Sequence, residues 1–149
     1  PYERLAATCE QQSAAFLRVA ALVPHIGIEM VRQQRHGATT STEVRVFNRG
    51  YLGSVGLPSA KALTHVEPLR LTVAASGTQL LAPAATTVEI GHLDGWGGGL
   101  YGGPSVFSPW TRGNGHERFV TLVTEGSGKL QLTLASCRLG TLTLDVDIA

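Results

Sequence analysis

Cysteine, charge and long apolar runs are all scarce in this chain, and each shortage removes a class of protein. Two cysteines in 149 residues are too few for the disulfide framework of a small secreted scaffold. Cys9 falls in a predicted helix and Cys137 in a predicted strand, and both are expected as small buried hydrophobes rather than as a bridge. Charged residues make up 15% and the formal charge is +1. Arg32, Arg35, Arg45, Glu43 and Glu89 stand singly. Without a basic stripe to displace counterions, no nucleic-acid partner is expected. No apolar run is long enough to span a bilayer, so no membrane partner is expected either. Within residues 1–24, Glu3, Arg4, Glu10, Gln11, Gln12 and Arg18 interrupt any signal-peptide core. The chain begins with Pro1 and not Met, which points to a piece of something longer.

What remains is a hydrophobic fraction of 43%, enough for one domain with its own core. Residues 2–23 read as an amphipathic helix: Leu5, Cys9, Phe16, Val19 and Val23 recur at helical spacing, alanine is abundant, and Pro24 ends the ladder. That stripe needs something to lie on, either the rest of this domain or another part of the protein. From His25 the pattern becomes period two. Ile26, Ile28, Met30 and Arg32 share one parity. Val44, Val46 and Phe47 follow a polar stretch, Gln33 to Thr42, read as a long hairpin loop. Leu69, Leu71 and Val73 form a third strand, Gln79 to Ala82 a short fourth, and Val88 and Ile90 lie in a fifth. Phe119 to Thr124, then Leu130, Leu132 and Leu134, then Leu142, Leu144, Val146 and Ile148 give the last three.

Seven to eight short strands without intervening helices predict an antiparallel β-sandwich of the immunoglobulin/transthyretin type, preceded by one N-terminal α-helix. The expected division is 1–24 for the helix and 25–149 for the sandwich. Two stretches are irregular: 48–61, with Gly50, Gly53, Gly56 and Pro58, and the glycine-rich 94–115, with Trp96, Tyr101, Phe107 and Trp110. Loops of the second kind are commonly functional. These four aromatics are the candidate binding residues, for a glycan or a peptide, weighed against folding back as a lid over one end of the sandwich.

No motif for chemistry survives inspection. Gly97, Gly99 and Gly102 match G-x-G-x-x-G, but Pro104, Pro109, Gly113 and Gly115 prevent the helix that a dinucleotide site requires. His116-Glu117 begins like H-E-x-x-H, yet Val120 stands where the second histidine belongs, and His25, His36, His65 and His92 are widely spaced. Ser54, Ser105 and Ser127 lack the strained elbow of G-x-S-x-G. Cys137 has no neighbouring base, and Asp145 and Asp147 are expected as solvated charges on an outer strand face. Catalytic, cofactor-binding and metal-ligating residues are therefore expected to be absent from this chain.

The order of elements resembles the C-terminal region of bacterial zinc carboxypeptidases of the M14 (carboxypeptidase A-like) superfamily, in which a terminal helix leads into an appended β-sandwich. The segments that carry the resemblance are the helix from Tyr2 to Val23, VRVFNRGYLGSVGLPSAKAL from Val44 to Leu63, VEIGHLDG from Val88 to Gly95, and ERFVTLVTEGSGKLQLTLASCRLGTLTLDVDI near the end. The resemblance implies that residues 1–24 close an upstream catalytic domain. The zinc and its ligands would then lie in that domain and not here. This chain would be a non-catalytic accessory domain that braces or interacts with it.

Overall fold

The computed structural model describes residues 2–55, 58–95, 115–136 and 139–149. After a 3-10 turn at Tyr2–Arg4 comes α1 (Leu5–Ala20), then β1 (Ile26–His36), β2 (Thr39–Asn48), a 3-10 turn at Pro58–Ala62, β3 (Leu69–Ser76), β4 (Gln79–Ala82), β5 (Thr87–Gly91), β6 (Glu117–Glu125), β7 (Gly128–Ser136) and β8 (Gly140–Ile148). The strands form two four-stranded antiparallel sheets, β1-β2-β6-β4 and β5-β3-β7-β8. Eight strands in two layers after one helix are the antiparallel sandwich that the alternation predicts.

Side-chain alternation drives the assembly, because it gives each strand one apolar face that can leave water only against another such face. Val44, Val46 and Leu122 from the first sheet meet Leu71, Val73, Leu130, Leu132 and Leu134 from the second, all buried. Each such leucine contributes about 1.5–3 kcal/mol on leaving water. The register keeps these residues in step: Val73 pairs with Leu132, Leu71 with Leu134, and Leu132 with Leu144. On the wet face of the second sheet, Thr87, Thr72, Thr133 and Thr143 line up in one row across all four strands.

The first hairpin differs from expectation. Gln33–His36 and Thr39–Thr42 are strand, and the connection shrinks to Gly37 and Ala38, with Gly37 at φ 64°. Polar residues there suggest a loop, but their polar groups find partners on other strands. Gln33 Nε2 donates to Thr42 Oγ1 (3.4 Å) and to the Asp147 carbonyl (3.0 Å), and Thr124 Oγ1 donates to the Thr40 carbonyl (3.4 Å). Thr40, Thr42 and Thr124 are thus buried without loss. Among the described residues no buried side-chain nitrogen or oxygen lacks a partner.

The β1 and β8 edges also depart from a sealed core. A bulge between Met30 and Arg32 shifts the register of β1, and Met30 stays 45% exposed although it pairs with the buried Val44. Leu142 on β8 is 37% exposed opposite the buried Leu134.

A further departure concerns the helix. None of the residues of α1 is buried, and Cys9, expected inside, is an exposed free thiol. Among the described residues, the segment trailing the helix is tied to the sandwich where Leu52 N–H donates to the Leu22 carbonyl (3.0 Å). None of the described residues in the helix's apolar stripe belongs to the buried core. Cys137 lies outside the described residues.

Leu132→Ala, in the sealed part of the core, is expected to lower unfolding free energy by about 2–5 kcal/mol. Leu142→Ala, at the open edge, is expected to cost about 1 kcal/mol. Urea titrations of both variants check this; equal losses would contradict the open edge.

Candidate functional site

The starts of β1 and β6 and the ends of β2 and β5 converge on one end of the sandwich, where the segments 49–68 and 92–116 emerge. The residue that organises this end is Asn48. It is the last residue of β2 and only 3% exposed. Its Oδ1 accepts hydrogen bonds from the main-chain N–H groups of His25 (2.9 Å) and Gly50 (2.9 Å). Its Nδ2 donates to the carbonyls of Leu52 (2.8 Å) and Asp94 (3.2 Å). Its own N–H donates to the His116 carbonyl (2.8 Å). One buried residue, through its side chain and its own N–H, therefore fixes the entry to β1, the turn after β2, and both stems of the 94–115 loop.

The stems are also joined directly, since Asp94 N–H donates to the Gly115 carbonyl (2.8 Å). Leu93 is buried beneath them and exchanges two bonds with Ser54: its N–H donates to Ser54 Oγ (2.9 Å) and its carbonyl accepts from Ser54 N–H (2.8 Å). Gly95 passes against the Tyr51 and Leu52 main chain so closely that a Cβ there would collide with their carbonyls. The Asp94 carboxylate faces solvent and meets Lys61 Nζ at 3.3 Å, so Asp94 serves the knot through its main chain.

Beside the knot, on the outer face of the first sheet, Arg45 bridges two carboxylates. Its Nε lies 2.7 Å from Glu117 and its Nη1 2.9 Å from Glu29. Partial desolvation lowers the Arg45 pKa, but hydrogen bonds to Glu29 and Glu117, together with their charges, outweigh it and raise the value above its ordinary one. Arg45 is thus a fixed cation at any working pH. Phe47 points to this same face and is nonetheless buried, because its ring lies across Gly27 and under the guanidinium groups of Arg45 (4.9 Å) and Arg49 (4.5 Å). Such stacking holds a large apolar ring on a wet face.

The sequence candidates Trp96, Tyr101, Phe107 and Trp110 lie outside the described residues, as do Gly97, Gly99 and Gly102; the structure places the stems of their loop. His25 and His116 enter the knot through their main chains. Asp145 and Asp147 sit on the outer face of the second sheet, near Gln131 Nε2 (3.3 Å) and Lys129 Nζ (3.4 Å) respectively. Among the described residues no three His, Cys, Asp or Glu side chains gather as a metal site requires.

Sequence reasoning missed Asn48, which it passed over as part of an irregular connection. The available signal was an asparagine two residues before a glycine at the end of an apolar strand, the pattern of an Asx-turn.

These features define an antiparallel sandwich module with an organised loop-bearing end. The chain belongs to the family described as "Domain of unknown function (DUF8731)", whose model matches residues 25–147. The match begins after α1 and takes in β1 to β7 and all of β8 but its last residue. No curated protein matches the chain.

Asn48→Ala would leave two main-chain N–H groups, the one of Gly50 buried, and two carbonyls without their partner and is expected to lower stability by about 3 kcal/mol. Asp94→Ala, which removes only an exposed ion pair, is expected to cost under about 1 kcal/mol. Chemical denaturation of the two variants provides the comparison.

Proposed function

We propose that residues 25–149 form a non-catalytic accessory sandwich that works by contact, meeting a protein partner with its loop-bearing end. The observation that carries this reading is the Asn48 knot. A buried side chain that satisfies four main-chain groups across three segments holds a loop end in one shape, and preorganised loops on a rigid scaffold are how sandwich domains recognise partners. The family match supports the same unit, since it covers the sandwich and not the helix.

The partner in this proposal is the catalytic domain of a zinc carboxypeptidase-like parent, which the sandwich braces. The identity of that domain rests on the sequence resemblance alone, as the family description names no peptidase. Because α1 enters at the loop-bearing end, a domain joined through it would lie on the side the knot organises. A second reading takes the same end as a glycan- or peptide-binding surface, with Trp96, Tyr101, Phe107 and Trp110 as its contacts. Stems pinned to each other by Asp94 and Gly115 favour a presented loop in that case too.

Limited proteolysis of the parent that releases 25–149 is expected to lower its thermal stability or peptidase activity. Free release with both unchanged would end the bracing role. Tryptophan fluorescence titrated against a panel of oligosaccharides and extended peptides decides the second reading, which requires a saturable change with at least one of them.

A further inference from the structure

The two sheets end in four edge strands, β1, β4, β5 and β8, and an edge strand offers its unpaired N–H and C=O groups to any other strand. Three of these edges are blunted. β1 bulges between Met30 and Arg32, β4 is four residues long and runs into Pro83, and β5 is five residues long and breaks register against β3 at Leu69 and Arg70. The fourth is not. β8 pairs with β7 along all nine of its residues without a shift, and it contains neither proline nor lysine. Gly140 to Thr143 and Asp145 are exposed, and among the described residues no strand pairs with its outer side.

One hydrogen bond shows which groups this edge presents. Along an antiparallel ladder, alternate residues turn both N–H and C=O away from the partner strand. Asp147 is one of them, because its carbonyl accepts from Gln33 Nε2 on β1 at 3.0 Å. The same parity turns the main-chain groups of Thr141, Thr143 and Asp145 outward. Gln33 thus closes the edge at Asp147 and leaves 141–145 open. Such a row of groups is satisfied by an added extended strand. We infer that β8 pairs antiparallel with β8 of a second copy of this chain, about a two-fold axis at Thr143, joining the two second sheets into one.

The open stretch is complementary to itself. Centred on Thr143, the pairing sets Thr143 against its copy and Thr141 against Asp145. Every outward group from 141 to 145 then has a partner, and no carboxylate opposes another. Moving the axis to Asp145 would set two carboxylates face to face. On the inner face the register lays Leu144 of each copy opposite Leu142 of the other, in a pair without main-chain bonds, where side chains approach closest. Leu142 is the residue that lacks cover: inward side chains of β8 are 3% exposed at Ile148, 4% at Val146 and 37% at Leu142. On the outer face, the row Thr87, Thr72, Thr133 and Thr143 would meet its own copy and run unbroken across the joint. A foreign peptide must supply these matches by its sequence, whereas a second copy supplies them by symmetry. The inference goes beyond the accessory-domain reading, whose contacts are loops and not a strand edge.

Sedimentation equilibrium of the full chain, over a concentration series, is expected to show a monomer–dimer equilibrium. Thr143→Pro should weaken it at least about tenfold. The urea midpoint at dilutions where the chain is monomeric should be kept, because the lost N–H points away from β7 and an edge tolerates proline there. Thr143→Lys and Thr143→Glu should each weaken the dimer, since like charges then meet on the axis, and their equimolar mixture should associate again. That charge pair decides the question if Thr143→Pro unfolds the sandwich. A monomer at every concentration, even one that captures extended peptides, would overturn the proposal. So would a dimer indifferent to Thr143→Pro, or a mixture that associates no better than its separate parts.

Discussion

An amide buried at the end of a strand brings two N–H donors and an acceptor oxygen out of water, and all of them need partners. Asn48 finds them in the main chain of three separate segments, and this requirement shapes one whole end of the molecule. The turn after β2 must fold back so that Gly50 N–H and the Leu52 carbonyl reach the side chain. The Asp94 carbonyl must arrive from the end of the β5 connection. Once these are in place, Leu93 is driven down over the core and Gly95 is pressed against the neighbouring main chain. The loop 94–115 therefore leaves the sandwich from a fixed base.

That end contrasts with the rest of the fold. The opposite end is built from short turns, and between the two ends apolar alternation packs the layers, joined by the bonds of Gln33 and Thr124. The layers are tight under β2, β6, β3 and β7, then open toward the β1 and β8 edges, where Met30 and Leu142 keep contact with solvent. The outer face beside the knot is covered by a different device, a ring clamped by two guanidinium groups and an arginine held between two carboxylates. Apolar burial, amide bonding and cation stacking thus each close a different part of the surface.

Much of the sandwich was legible because its leucines and valines keep strict parity. Leu130, Leu132 and Leu134, and Val146 with Ile148, could hardly face anything but a second layer. The Thr39–Thr42 segment was not legible by the same rule, since its inward residues are threonines whose burial depends on bonds to distant Gln33 and Thr124. Alternation also says nothing about where a helix goes. The stripe of α1 was readable, whereas its separation from the core depends on the chain path after Ala20. At the candidate site the sequence drew attention to aromatics in the loop, while the residue that fixes the loop's base is one asparagine whose partners are main-chain groups 23 and 46 residues away.

The rigidity of the loop-bearing end is the claim on which the functional reading rests, and amide hydrogen exchange measures it directly. The N–H groups of His25 and Gly50, both bonded to Asn48 Oδ1, should exchange about as slowly as those in the body of β2. Exchange of these two amides at the rate of an open loop, with the β2 amides still protected, would contradict a preorganised end.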